Sequence, residues 1–346
     1  MDKIAENLKE VQPQSFATVP RLLEKVYEKI VAKGHELTGI KKSLFFWALN
    51  LGLRYELNGI NGWWYEFQLK IANKLIFSKW REALGGNIQV IVSGGAALQP
   101  RLARVFCAAK IMVIEGYGLT ETSPVIAVNS LQPNSIKFGT VGKVIKDVHL
   151  KFGDDGEILV KGPNVMMGYF NKPEETAKNI VDGWFHTGDI GEMEDGIFLK
   201  ITDRKKEIFK TSGGKFIAPQ LIENHLKEST YIEQVMVIGE GHKFPSALII
   251  PSFDSLKKWC ERSNINYTSN QEMITQDIII QKIQKQVDVT NKGLAHFEQI
   301  KAFALLPNEW SIENEELTPK LSLKRKVILK NYDKEIQNIY RSEVKI

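Results

Sequence analysis

The stretch "EGYGLTETSP", residues 115–124, follows an apolar run and brings glycines, an aromatic ring, hydroxyl side chains and Glu121 together. Glycines let the backbone approach a ligand, Tyr117 offers a flat face to a base, and Thr120 beside Glu121 pairs a hydroxyl with a hard oxygen ligand. Such a set can hold a nucleotide phosphate and Mg²⁺; a helix start capped by Thr120 or Thr122 explains the same residues equally well. "VSGGAAL", residues 92–98, adds Gly94, Gly95 and Ala96, which alone read as a tight strand-to-helix turn. "DGWFHTGDIG", residues 182–191, sets Asp189 among glycines, where a carboxylate can accept both hydroxyls of a ribose or simply form the turn. "DRKKEIFKTSGGK", residues 203–215, crowds Arg204, Lys205, Lys206, Lys210 and Lys215 around Gly213 and Gly214. A solvated surface loop is the ordinary meaning of that run, and a hinge touching an anionic substrate is the alternative. His186 lies near Asp189, but no Gly-x-Ser-x-Gly elbow completes a nucleophilic triad with it.

These residues need strands and turns to hold them. Apolar positions recur at helical spacing across residues 19–84, and the polar opening of the chain does not resemble the first strand of an open α/β sheet. Residues 88–92 then read as a short buried strand, Pro100 opens a helix to about Ala109, and residues 111–114 form a second strand that breaks at Gly116 and Gly118. The segment 87–121 is therefore expected to be a βαβ unit with loops at strand carboxyl ends, where ligands bind in parallel sheets. After Thr140, alternating runs around "GDDG" and "EDG" predict antiparallel hairpins. Beyond Asp203 the order helix, strand pair, helices, strand and basic terminal helix predicts an α+β unit. The aromatics Phe45, Phe46, Trp47, Trp63 and Trp64 read as helix packing, with the border of an acyl tunnel or a membrane-facing surface as the alternative.

Size and composition bound the class. A chain of 346 residues with 43% hydrophobic content suits two folding units with real cores. A net charge of +5, from 46 basic and 41 acidic residues, lacks the concentrated basic field of a nucleic-acid binder. Cys107 and Cys260 stand far apart in the chain, which argues against a zinc site or disulfide framework and fits a reducing cytoplasm. The longest apolar patch, residues 43–53, is too short to span a bilayer.

Read in order, "SGGAALQPRLARVF", "EGYGLTET", "GTVGKVI", "GEILVKGPNVMMGYFNKPEET", "DGWFHTGDIG" and "DRKKEIFKTSGGKFIAPQLIE" resemble the adenylate-forming superfamily of acyl-CoA synthetases, adenylation domains and luciferases. The helical stretch before the glycine turn resembles the long-chain fatty acyl-CoA synthetase branch. The resemblance implies ATP-dependent activation of a long-chain fatty acid to an acyl-adenylate, then transfer to coenzyme A after a small domain swings about a hinge. It implies that Gly94, Gly95 and Ala96 border the acyl and adenine pocket, Tyr117 stacks on adenine, Thr120 contacts phosphate and Glu121 holds Mg²⁺. Asp189 and Arg204 would take the ribose hydroxyls, Lys206 would be the hinge, and Gly213, Gly214 and Lys215 the loop of the thioester-forming state.

The implied fold is α/β plus α+β: the distal part of a large AMP-binding domain over residues 1–203, with a βαβ unit and an antiparallel β-subdomain, and a small mobile domain over 204–346. The implied setting is cytoplasmic, with peripheral association at the inner face of a membrane. Two departures from the family stand out. The Gly/Ser/Thr-rich phosphate loop is not among these residues, so the chain reads as the C-terminal piece of a longer enzyme, impaired or inactive alone. In "LTPKLSLKRKVI" the column of the adenylation lysine falls on Ser322, with Lys320 the first choice as its replacement and Lys324 the second. The alternatives are a CoA ligase for an aryl or medium-chain acid, or a non-catalytic module that binds nucleotide or acyl groups.

Overall fold

The computed structural model describes residues 4–319 and 321–341. The chain divides into two compact units, residues 1–187 with 191–201, and residues 188–190 with 202–346.

The first unit opens with helix α1 (Ile4–Val11) and strand β1 (Ser15–Thr18), followed by α2 (Pro20–Glu36), α3 (Gly39–Leu53), α4 (Trp63–Ala72) and α5 (Ser78–Ala83). Pro20 and, later, Pro100 occupy the first helical turn, where a missing N–H costs nothing. A π-helical turn at Asn73–Phe77 joins α4 to α5 and leaves Asn73 buried. Its side-chain amide donates to the carbonyls of Leu69 and Ala108, at 3.1 and 2.8 Å, so the irregular turn leaves that polar group satisfied. Then come β2 (Val90–Ser93), α6 (Pro100–Ala108), β3 (Met112–Gly118), β4 (Val125–Val128) and β5 (Lys143–Val144). The sheet order is β1-β2-β3-β4-β5, parallel from β1 to β3 and antiparallel beyond. Leu51, Phe77, Leu102 and Phe106 are fully buried within one core cluster, and a buried side chain of this size stabilises by roughly 1.5–3 kcal/mol.

The βαβ unit over residues 87–121 forms as the pattern predicts, and three readings are corrected. The opening segment does contain a parallel strand, β1, whose four residues pair with Val90–Ser93. It is too short, between Pro13 and Pro20, to show a period. Strand β3 also runs through Gly116 to Gly118, because both glycines pair with β4. Trp63 and Trp64 do not pack a core: they are 79 and 58% exposed, whereas Phe45 is buried.

A second sheet has the order β10-β9-β7-β6 and is built from β6 (His149–Phe152), β7 (Glu157–Lys161), β9 (Trp184–Glu194) and β10 (Phe198–Arg204). Helix α7 (Pro173–Asn179) precedes β8 (Ile180–Val181), which pairs with β9. These are the antiparallel hairpins that the "GDDG" and "EDG" turns predict. The division between units cuts β9 at Gly188–Ile190 and β10 at Thr202.

In the second unit a short hairpin, β11 (Phe209–Lys210) and β12 (Phe216–Ile217), precedes α8 (Pro219–Leu226). Strands β13 (Ile232–Ile238) and β14 (Ser246–Pro251) pair antiparallel. Helices α9 (Phe253–Ser263), α10 (Asn270–Met273) and α11 (Asp277–Asn291) follow, and β15 (Phe303–Leu305) returns parallel to β14. Helices α12 (Arg325–Asn331) and α13 (Asp333–Arg341) close the unit. Strand β14 is buried along its whole length, as a central strand covered on both faces must be. Among the described residues no helix is long and apolar enough to cross a membrane.

Candidate active site

In the first unit the parallel register Ser93↔Glu115 brings the carboxyl ends of β2 and β3 level. Residues 94–96 therefore turn beside residues 116–118, the edge at which open α/β sheets take ligands. Gly94 donates its N–H to the Thr18 carbonyl at 3.1 Å, and Gly95 turns with φ +81°, which a side chain would resist. Gly118 has a different constraint, since a Cβ there would overlap the Pro124 carbonyl. Tyr117 is half-buried, and Thr120 stands exposed on the 3₁₀ turn Thr120–Thr122.

The two threonines divide the readings that the sequence leaves open. Thr122 is buried; its hydroxyl accepts from the Leu119 N–H at 3.0 Å and reaches the Pro124 carbonyl at 2.7 Å, so it is the capping residue. Thr120 is left to solvent. Glu121 is clamped from residues 166–169: its backbone carbonyl accepts from the Met166 N–H at 2.8 Å, and its carboxylate accepts from the Tyr169 hydroxyl at 2.9 Å. Burial, and then the hydrogen bond to Glu121, push the Tyr169 phenol up to about 12, so it remains a donor throughout the neutral range.

No group of three or more His, Cys, Asp or Glu among the described residues could cage a metal. A lone, oriented carboxylate fits Mg²⁺ in its usual mode, in which phosphate and water oxygens complete the shell. Behind the strand end Glu115 is buried, accepting from the Leu98 N–H at 3.3 Å; burial pushes its carboxyl up to about 8.

In the second unit Asp189, nine-tenths buried, lies 3.6 Å from the exposed guanidinium of Arg204, which also reaches Glu207 at 3.9 Å. A carboxylate fixed beside a solvent-facing arginine can accept from a pair of adjacent hydroxyls while the guanidinium donates to them. Asp203 is buried one residue before, accepting from the N–H groups of Arg204 and Gln220 at 2.6 and 3.1 Å; burial pushes it up to about 7. Lys206 is exposed. Gly213, Gly214 and Lys215 are exposed in the β11–β12 turn, which is held by Thr211 N–H to Lys215 carbonyl at 2.9 Å, with Gly214 at φ +80°. Lys320 lies outside the described residues. Ser322 is held in a tight loop, its N–H donating to the Thr318 hydroxyl at 3.1 Å and its carbonyl accepting from the Thr318 N–H at 2.8 Å.

Sequence reasoning missed Tyr169, whose role appears only once "GYFNKPEE" folds toward Glu121, and Glu115, whose burial and bond from the Leu98 N–H no local pattern marks. It also missed a half-buried ion cluster in which Arg325 bonds Glu207 at 3.1 Å, the buried Glu223 at 2.5 Å and the Val237 carbonyl at 3.0 Å. His186, by contrast, bonds Glu157 at 3.2 Å, an ordinary strand-to-strand pair.

The strand-end turns and their nucleotide-compatible groups sit on the fold of adenylate-forming domains. The adenylation domain of the carboxylate reductase from Mycobacterium chelonae matches 98% of this chain with 48% of its own, at TM-score 0.73 and 20% identity. The anthranilate CoA ligase AuaEII in complex with anthranoyl-AMP matches 96% of this chain with 53% of its own, at TM-score 0.63 and 15% identity. The family model of AMP-binding enzymes matches residues 1–170, and that of the AMP-binding enzyme C-terminal domain matches residues 206–344. The chain belongs to this AMP-binding enzyme family. It is 36% identical to the long-chain-fatty-acid–CoA ligase FadD15 of Mycobacterium bovis over 336 residues, covering 96% of this chain and 55% of that protein. To the long-chain-fatty-acid–CoA ligase 5 of Rattus norvegicus it is 34% identical over 358 residues, covering 98% and 50%. The chain thus spans about half the length of the curated relatives it matches.

Proposed function

We propose that the chain is the C-terminal portion of a long-chain fatty acid–CoA ligase of the AMP-forming type, with ATP, a long-chain fatty acid and coenzyme A as substrates. The observation that carries the reading is the carboxyl edge of β2 and β3, where the glycine turns leave backbone accessible and Tyr169 aims the Glu121 carboxylate. Identity to long-chain ligases over nearly the whole chain supports the acyl class. Gly94, Gly95 and Ala96 line the acyl and adenine pocket, Tyr117 stacks on adenine, and Thr120 donates its hydroxyl to a phosphate oxygen. Asp189 accepts the ribose hydroxyls and Arg204 donates to them. Mg²⁺, held by Glu121, supplies neutralisation of the charge on the phosphates when bound.

Residues 1–203 and 204–346 are assigned to the large domain and the small mobile domain, with Lys206 the hinge and Gly213, Gly214 and Lys215 presented for thioester formation. Lys320 takes the place of the adenylation lysine, whose column holds Ser322. The enzyme works in the cytoplasm and associates peripherally with the inner face of a membrane.

Calorimetry with non-hydrolysable acyl-adenylate mimics tests the reading. A palmitoyl mimic is expected to bind, to bind more tightly than a benzoyl one, and to weaken at least tenfold in Tyr117→Ala, the cost expected when a base loses its stacking partner. Absence of heat, or preference for the benzoyl mimic, overturns it.

A further inference from the structure

Helix α4 carries its apolar residues on both sides. Tyr65, Leu69 and Ala72 are buried, while Trp63, Trp64, Phe67 and Ile71 on the opposite side are 79, 58, 50 and 37% exposed. Trp63, Phe67 and Ile71 follow one another at four-residue spacing and therefore share a face. Leu75, four residues on in the π turn, is exposed as well. The aromatic rings already pack on one another in the open: the Trp63 and Trp64 centroids are 5.6 Å apart edge-on, and Trp64 stacks on Phe67 at 5.6 Å and 19°. Lys70 and Lys74, three residues after Phe67 and Ile71, lie within this stripe and are exposed.

We propose that this face docks α4 flat on an anionic lipid surface, with the indoles at the level of the headgroup boundary and Lys70 and Lys74 reaching lipid phosphates. Charge and composition single out this occupant. A covering protein would bury two ammonium groups among aromatic side chains, which is unfavourable unless carboxylates met them, and protein interface cores are depleted in lysine. At a bilayer the same lysines extend along their stems to the headgroups and are attracted by anionic lipid, while tryptophan favours that depth. Ten helical residues extend about 15 Å, enough to lie in the interface and too short to cross it. The inference deepens the proposed membrane association by naming its surface, and it does not involve the nucleotide groups, so its failure and that of the acyl-adenylate reading are read in different assays.

The test is co-sedimentation of the chain with vesicles of phosphatidylcholine alone or mixed equally with phosphatidylglycerol, at low and high salt, together with quenching by lipids brominated on the acyl chain. Binding is expected for the anionic vesicles, weakened by salt, with quenching that disappears in Trp63→Phe/Trp64→Phe. Lys70→Glu/Lys74→Glu, which changes only exposed side chains, is expected to weaken vesicle binding tenfold or more while the palmitoyl-adenylate mimic binds as before. Leu131→Ser, at an exposed apolar residue outside the helix, is expected to change nothing. No binding to anionic vesicles, or binding insensitive to both paired variants, overturns the proposal. So does light scattering that shows a dimer dissolved by Trp63→Ser/Trp64→Ser, since a second copy would then cover the face.

Discussion

Glu115 shows how a residue inside the glycine motif serves the fold. Its carboxyl is held at about 8 by burial, against an ordinary 4.5, and it accepts from the N–H of Leu98. Between those two values the folded chain keeps a proton that the unfolded chain has lost. Stability therefore declines as pH rises from about 4.5 toward 8 and levels off above, the opposite of the usual behaviour of a salt-bridged carboxylate. Glu115→Gln retains an oxygen for Leu98 and has no proton to lose. Denaturant unfolding at pH 5, 7 and 8.5 should show the variant more stable by ~2–4 kcal/mol at the highest pH and nearly equal to the parent at the lowest. Equal slopes against pH would show that Glu115 ionises freely in the folded chain.

At the scale of elements the site depends on how closely β3 can run past the start of β4. Gly118 pairs with Val125 and has the Pro124 carbonyl where a Cβ would stand, so Gly118→Ala must push the strands apart. The substitution should destabilise the first unit by about 1–3 kcal/mol and, by displacing the turn that bears Thr120 and Glu121, weaken the palmitoyl mimic, whereas Gly95→Ala meets no neighbouring atom and opposes only its φ. Calorimetric binding to the two variants checks this, and equal affinities would separate strand spacing from the site.

This dependence was partly legible. The alternation of short apolar runs with glycine turns specified the βαβ unit and the hairpins, because burial on two faces and left-handed turns leave marks in a single sequence. What escaped was non-local. Strand β1 is fixed by pairing with residues 90–93 rather than by its own pattern, Tyr169 meets Glu121 across 48 residues, and Arg325 meets Glu207 across 118. Trp63 and Trp64 escaped for another reason: an aromatic at helical spacing looks the same whether its face is covered or open.

The whole chain holds two kinds of cohesion. The first unit has an apolar core that includes Leu102 and Phe106, while the second adds to its apolar clusters an ion pair of Arg325 with Glu207 and Glu223. Burial lifts the Glu223 carboxyl above its ordinary value even though Arg325 opposes the shift, so the pair stabilises only while both partners are present. Removing the arginine strands a carboxylate that is 4% exposed. Arg325→Ala should therefore cost about 3–5 kcal/mol, as much as Leu102→Ala in the first unit, by an unrelated mechanism. Arg325→Met with Glu223→Gln, which removes the stranded charge, should recover most of that loss. Because each unit closes its own core, scanning calorimetry is expected to resolve two transitions, Arg325→Ala lowering one and Leu102→Ala the other. A single transition shifted equally by both substitutions would show that the two cores melt together, and a double variant no more stable than Arg325→Ala would show that the lost hydrogen bonds, rather than the unpaired charge, set the cost.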